Sequence, residues 1–256
     1  MNLKLDPAIG CRYTNTSQIV RVMTEHWCAN NLSCPVCGHH KISQNQNNTP
    51  AVDFNCRECK SNYQLKSRKL WNNSTITDAG YEAMIKSIKG NSRPHLLIMG
   101  YTTDSYVYNL MLIPYFFFSE TCIQKRKPLS PNAKRANWVG CNIKLDLIAP
   151  EGKIMIVENG NEIPNSKIMH QYSRITGIAE FPLESRGWLL DVFHLTSQYG
   201  NREFTLREMY SHEAYLAALH PDNKHIKDKI RQQLQYLRDQ NLIEFLGRGV
   251  YKRRIE

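Results

Sequence analysis

Residues 50–66 read PAVDFNCRECKSNYQLK, and two spacings are superimposed in this one stretch. The first belongs to cysteine. Two residues separate Cys56 from Cys59, and Cys34 and Cys37 repeat the arrangement upstream, with 18 residues between the two pairs. Each pair brings two thiolates onto one tight turn, and two such turns fill a tetrahedral zinc site with bonds of about 2.3 Å. Four sulfurs leave no open position, so the expected zinc is structural. His39 or His40 is the alternative for one ligand. Cys11, Cys28, Cys122 and Cys141 are unpaired and are expected in the core.

The second spacing belongs to charge. Ten residues separate Asp53 from Gln64-Leu65-Lys66. An acid at a strand end, followed on the next strand by a polar-x-Lys triplet, matches the PD-(D/E)xK nuclease pattern. Asp53 offers carboxylate oxygen to hard Mg²⁺. The period of two along a strand points residues 64 and 66 to one face, towards that ion. Lys66 is then placed to stabilise the attacking hydroxide or the pentacovalent phosphate. The same spacing also fits an exposed Gln and Lys on an ordinary hairpin.

Outward from this stretch, the chain reads as mixed α/β. Residues 16–30 predict a helix with Ile19, Val22, Met23 and Trp27 on one face, and residues 75–89 a second with Ile76, Ala79, Met84, Ile85 and Ile88. Residues 95–100, 107–118 and 153–158 predict strands, the last ending at the turn pair Asn159-Gly160. Residues 123–138, IQKRKPLSPNAKRANW, hold five basic residues, no acid and two prolines. From Leu183 on, helices are predicted over 188–199, 205–219 and 223–240. A short hairpin with Gly247-Arg248-Gly249 at its turn follows, which is the winged-helix order.

Over all 256 residues, 33 Lys and Arg stand against 23 Asp and Glu, a formal charge of +10. Such a balance on a globular composition points to a polyanionic partner, nucleic acid first. The opening MNLKLDPAIG lacks the basic and apolar regions of an export signal. Met111–Phe118, the longest apolar run, is broken by Pro114 and too short to span a bilayer. A cytoplasmic protein without a membrane role is expected, where paired cysteines mean metal rather than disulfide.

Several stretches resemble one family. CPVCG, NNTPAVDFNCRECKSNYQLKSRK, STITDAGYEAM, QKRKPLSPNAKRANWVGCNI, ESRGWLLDV and HIKDKIRQQLQYLRDQNLIEFLGRGVYK are similar to the DpnI-like methyl-directed restriction endonucleases, from Ser17 to Lys252. The resemblance implies a PD-(D/E)xK endonuclease domain with an embedded zinc ribbon over residues 1–181 and a winged-helix domain over 183–256. It implies Mg²⁺-dependent, type II double-strand cleavage at GATC bearing N6-methyladenine, by a monomer acting on double-stranded DNA. Asp53 falls on the family's metal-binding aspartate and Lys66 on its catalytic lysine. Gln64 falls on a second acidic ligand and departs from it. The amide still offers an oxygen, but one negative charge is gone, so weaker metal binding or slower turnover is expected. The Leu65 carbonyl is a further metal ligand in this reading.

The resemblance makes Trp138 a methyl sensor: a broad indole face gives an apolar contact worth about 1–3 kcal/mol per methyl. The competing assignment is a core tryptophan anchoring a loop. Lys125, Arg126, Lys127, Lys134 and Arg135 are expected to hold the DNA backbone around it. In the winged helix, the exposed face of helix 223–240 carries Lys224, Lys227, Arg231 and Arg238, with His225 and Gln232 near its N-terminal part. Arg248 and then Lys252, Arg253 and Arg254 suit phosphates. Two rival functions share these residues: a reader of methylated DNA whose cutting was lost at Gln64, and a zinc-ribbon winged-helix regulator.

Overall fold

Asn15 starts the first helix: its side-chain oxygen accepts from the N–H groups of Ser17 and Gln18, satisfying donors that a helix start leaves open. The computed structural model describes residues 1–46 and 51–254. Pro50, first residue of the expected acid motif, lies outside them. Helix α1 (Thr16–Asn31) is followed by β1 (Ser43–Gln44), β2 (Phe54–Asn55), β3 (Asn62–Arg68), β4 (Thr75–Gly80), α2 (Tyr81–Lys89), β5 (His95–Tyr101) and β6 (Val107–Ile113). Then come β7 (Ile123–Lys125), β8 (Gly140–Lys144), β9 (Ile154–Glu158), β10 (Asn161–Glu162), α3 (Asn165–Ile175) and α4 (Leu183–Thr196). The chain finishes with β11 (Phe204–Thr205), α5 (Leu206–Tyr210), α6 (Glu213–Leu219), α7 (Ile226–Asp239), β12 (Ile243–Gly247) and β13 (Val250–Arg253).

These elements form two compact units, each assembled from three stretches. The first comprises Met1–Asn72, Ser92–Tyr115 and Gly152–Ser173. Its seven-stranded sheet has the order β1-β2-β3-β5-β6-β9-β10. All its neighbours run antiparallel except β3 and β5, which are parallel with Gln64 beside Leu96 and Lys66 beside Ile98. Leu96, Leu97, Ile98 and Met99 are all buried. Such an unbroken apolar run suits a strand covered on both faces. Pro114 has no N–H to give, and β6 stops just before it. The expected strand through 118 is thereby corrected: 115–117 is a 3₁₀ turn. Asn159 and Gly160 both take positive φ (50° and 75°), the geometry an Asn-Gly hairpin needs.

The second unit comprises Asn73–Asn91, Phe116–Glu151 and Arg174–Glu256. It holds a small sheet, β4-β8-β7, with α2 against it, and a second sheet, β11-β13-β12, with α4 to α7. The helix expected over 75–89 is corrected here. Its first six residues are β4, where Ile76 and Asp78 turn inward in alternation, and only 81–89 is helical. Thr-Ile-Thr is β-branched and pairs along β8, so strand pairing overrides the helical spacing. The helix expected over 205–219 divides into α5 and α6 around Ser211 and His212. Ile226, Ile230, Leu234 and Leu237 of α7 are buried, as their spacing required.

Candidate functional site

The four thiols of the paired cysteines come together. The Sγ atoms of Cys34, Cys37, Cys56 and Cys59 all lie within 4.8 Å of one another, with Cys34–Cys59 at 3.6 Å and Cys37–Cys56 at 3.7 Å. Each CxxC closes the same way. The Gly38 N–H donates to the Cys34 carbonyl at 2.9 Å and the Lys60 N–H to the Cys56 carbonyl at 3.0 Å. Gly38 and Lys60 both adopt positive φ. At Cys59, burial acts to raise the thiol, but hydrogen bonds from Ser61 and from Cys34 and Cys37 bring it down to about 7. Tetrahedral sulfur is the chemistry zinc takes, so the cluster could hold that ion. His39 and His40 lie beside each other with ring centroids 4.4 Å apart and planes tilted by 50°, and are not in the cluster. Cys28, Cys122 and Cys141 are buried as expected, whereas Cys11 is exposed: it follows the short 3₁₀ helix Pro7–Gly10 on the surface.

The chain between the two knuckles delivers Asp53. Its N–H donates to the Tyr63 carbonyl at 2.8 Å, and its Oδ2 accepts from the Leu65 N–H at 2.7 Å. Leu65 lies opposite the stretch before Phe54, where β2 has not yet begun, and β3 has β5 as its partner on the other side. The Asp53 side chain therefore takes the place of a pairing strand at Leu65. This fastens the carboxylate to the middle of Gln64-Leu65-Lys66 and joins the two halves of the motif. Gln64 is buried and Lys66 half-buried. Tyr63 ties this hairpin to the sulfurs, its hydroxyl 2.9 Å from Cys34 Sγ.

A residue absent from the sequence reading also lies here. Glu25, on α1, is only 7% exposed. Its Oε2 accepts from Gln44 Nε2 at 2.9 Å, and Arg21 approaches Oε1 at 3.8 Å. Burial raises its carboxyl above the ordinary value; Arg21 opposes the rise and the Asp53 charge adds to it. The available signal was an acid among Met23, Trp27 and Cys28, the buried side of an amphipathic helix.

In the second unit, Trp138 stands half-buried just before β8. A Cβ at Gly140 would lie 2.8 Å from the indole and one at Gly80 3.4 Å, so two side-chain-free positions, paired across β4 and β8, leave room for the ring. The Arg135 guanidinium lies over it, 4.5 Å from the centroid. Arg126 donates its N–H to the Gly140 carbonyl at 3.0 Å. Lys125 lies 5.0 Å above the Tyr81 ring and 3.9 Å from Glu82. Lys127 and Lys134 are exposed.

Lys224 and His225 precede α7, and Lys227 and Arg231 are exposed on it. Lys227 pairs with Glu213 at 3.2 Å, and Gln232 Oε1 accepts from Lys229 at 2.9 Å. Arg238 pairs with the adjacent Asp239. Arg248 is exposed at the hairpin turn with φ 51°, and Lys252 and Arg254 are exposed. Arg253 is corrected: it is 5% exposed, paired with Glu151 and set over the Phe193 ring, so it anchors the hairpin and is not available to phosphate.

An α/β unit with a four-sulfur cluster, accompanied by a winged helix with a basic outer face, is the make-up of a protein that acts on DNA. The chain belongs to the DpnI, or Dam-replacing, family, whose model matches residues 1–181; that of the Dam-replacing HTH domain matches 184–253. Membership implies a nuclease, and the matched HTH domain a DNA-binding module. Among the described residues, no helix is long and apolar enough to cross a membrane.

Proposed function

We propose that this protein is a Mg²⁺-dependent type II endonuclease that makes double-strand cuts at GATC carrying N6-methyladenine. Its nuclease domain would be 1–181 and its winged helix 183–256. The observation that carries the reading is the Asp53 carboxylate bonded to the Leu65 N–H, inside a chain of the DpnI family. The Asp53 carboxylate, the Gln64 amide oxygen and the Leu65 carbonyl are hard oxygens, the donor type that Mg²⁺ takes. When bound, that ion lowers the pKa of a water and offsets phosphate charge. Lys66 brings an ammonium to the phosphate, where negative charge grows during attack. Zinc in the four-cysteine cluster keeps the hairpin of Asp53 and Lys66 in shape.

Trp138 receives the adenine methyl on its indole, and Lys125, Arg126, Lys127, Lys134 and Arg135 hold phosphates beside it. Lys224, His225, Lys227, Arg231, Gln232 and Arg248 give the winged helix its DNA contacts. The test is plasmid cleavage with and without adenine methylation, in Mg²⁺ and at stoichiometric enzyme. Cutting of methylated plasmid only is expected, abolished by Asp53→Ala with DNA binding retained; equal cutting of both plasmids defeats the proposal. Gln64 favours a second reading, a reader of methylated DNA that does not cut. Binding confined to methylated plasmid without cleavage would establish it.

A further inference from the structure

Helix α7 carries two adjacent glutamines in different surroundings. Gln232 is half-buried, next to the exposed Arg231. Gln233 is wholly buried, at 0% exposure, in the apolar row of Ile226, Ile230, Leu234 and Leu237. An amide among aliphatic side chains costs free energy unless both its ends are paired. Gln233 has one end paired: its Nε2 donates to Gln232 Oε1 at 3.3 Å, while its own Oε1 meets no donor among the described residues. Stability alone would favour a leucine there. The buried amide instead acts on its neighbour, whose Oε1 is taken a second time, by Lys229 Nζ at 2.9 Å. Lysine has only hydrogens to give, so the Gln232 atom that faces it is the oxygen.

With its oxygen held, Gln232 keeps the two hydrogens of its amide nitrogen to offer, and among the described residues they meet no acceptor. The usual glutamine contact in the major groove is bidentate to adenine, giving a hydrogen to N7 and taking one from N6. That contact needs the oxygen. A donor-only amide fits guanine instead, whose N7 and O6 are two acceptors side by side. We propose that Gln232 reads a guanine through N7 and O6, and that Gln233 and Lys229 are positioning residues that keep its oxygen from the base. This rests on the reading of α7 as the helix that meets base edges. In the GATC site proposed above, guanine is the first base of each strand, so Gln232 would read the outer base pair, apart from the methylated adenine.

The test is binding of the full zinc-loaded chain to methylated GATC duplexes without Mg²⁺, followed by fluorescence anisotropy, with guanine replaced by 7-deazaguanine, which lacks the N7 acceptor. The replacement should weaken the wild type roughly fivefold or more, the lower end of what one specific base contact is worth. In Gln232→Ala the intact duplex should be bound more weakly, and the analogue should make little further difference. Two proteins and two duplexes close a cycle, so contacts from other residues cancel. Gln233→Leu should shrink the same penalty while its unfolding midpoint holds or rises, which a merely structural role would not produce. Lys229→Met should shrink it from the other side, and decides the matter where Gln233→Leu fails to fold. If Gln232→Ala weakens all duplexes alike, the guanine contact is overturned while the DNA contact of α7 stands; if it weakens none, both fall. A loss that follows 7-deazaadenine instead means that the oxygen is released to adenine, and overturns the proposal. An unchanged penalty in Gln233→Leu and Lys229→Met overturns their positioning roles.

Discussion

His95 begins β5 with its ring enclosed by Tyr63, Tyr115 and Tyr172 at 5.3–5.7 Å. The Tyr115 N–H donates to its Nδ1 at 3.3 Å, an arrangement that needs the imidazole neutral. Burial lowers its pKa from 6.5 to about 4. Between those values the unfolded chain takes up a proton and the folded chain does not. The contribution is therefore intact above pH 6.5 and is lost as pH falls towards 4, at about 1.4 kcal/mol per pH unit and about 3 kcal/mol in all. Denaturant midpoints measured from pH 7 to pH 4 should decline, and His95→Asn, which keeps an acceptor but does not titrate, should flatten that limb. At Gln64 the effect is on metal. Gln64→Glu restores a charge beside Asp53 and Lys66, so cleavage of methylated plasmid should reach half-maximal rate at lower Mg²⁺, with methyl specificity unchanged. A requirement that stays the same or rises shows that position 64 is not a ligand.

The loop and strand that carry Trp138 leave the ring no slack. Gly140→Ala puts a Cβ 2.8 Å from the indole, closer than packed atoms tolerate, so the ring must tilt. The expected result is a several-fold smaller preference for methylated over unmethylated plasmid at an unaltered Mg²⁺ requirement; a retained preference means the indole face is not what reads the methyl. Helix α5 offers a simpler check. Thr205 and Glu208 form a reciprocal cap, and Thr205→Ala should cost about 1 kcal/mol in chemical unfolding. Elements with a repeating burial pattern were legible from sequence: α1, α7, β5 and the final hairpin. The two cysteine pairs were legible because two-residue spacing fixes which sulfurs can meet. β4 was not, because Ile76, Ala79 and Met84 satisfy helical spacing by accident and only the partner strand β8, more than sixty residues away, decides the matter. The break between α5 and α6 was hidden for the same reason, since Ser and His do not by themselves end a helix. Glu25 escaped notice because nothing local shows that its helix lies over Leu65.

The four-cysteine cluster, which could hold zinc, belongs to the first unit. Structural zinc adds roughly 10 kcal/mol or more to folding in small metal domains, so Cys34→Ser or Cys56→Ser should give insoluble or unfolded protein. Metal analysis of protein purified without chelator should find one zinc per chain, and none would refute the assignment. With a net charge of +10, DNA affinity should fall linearly on logarithmic axes as salt rises, and a flat response would count against phosphate contacts. The chain passes between its two units five times, which bears on its synthesis. Residue 68, the last of the motif strand, leaves the ribosome about a hundred residues ahead of Ser173, where the first unit is complete. At ordinary translation rates that gap lasts roughly 5–20 s. By then the stretches 73–91 and 116–151 of the second unit have been made as well, awaiting 174–256. A message cut short before codon 152 yields residues 53–68 without β9 and β10 to finish their sheet. Interleaving thus ties completion of the first unit's sheet to the prior synthesis of two stretches of the second, while the winged helix is still to be translated.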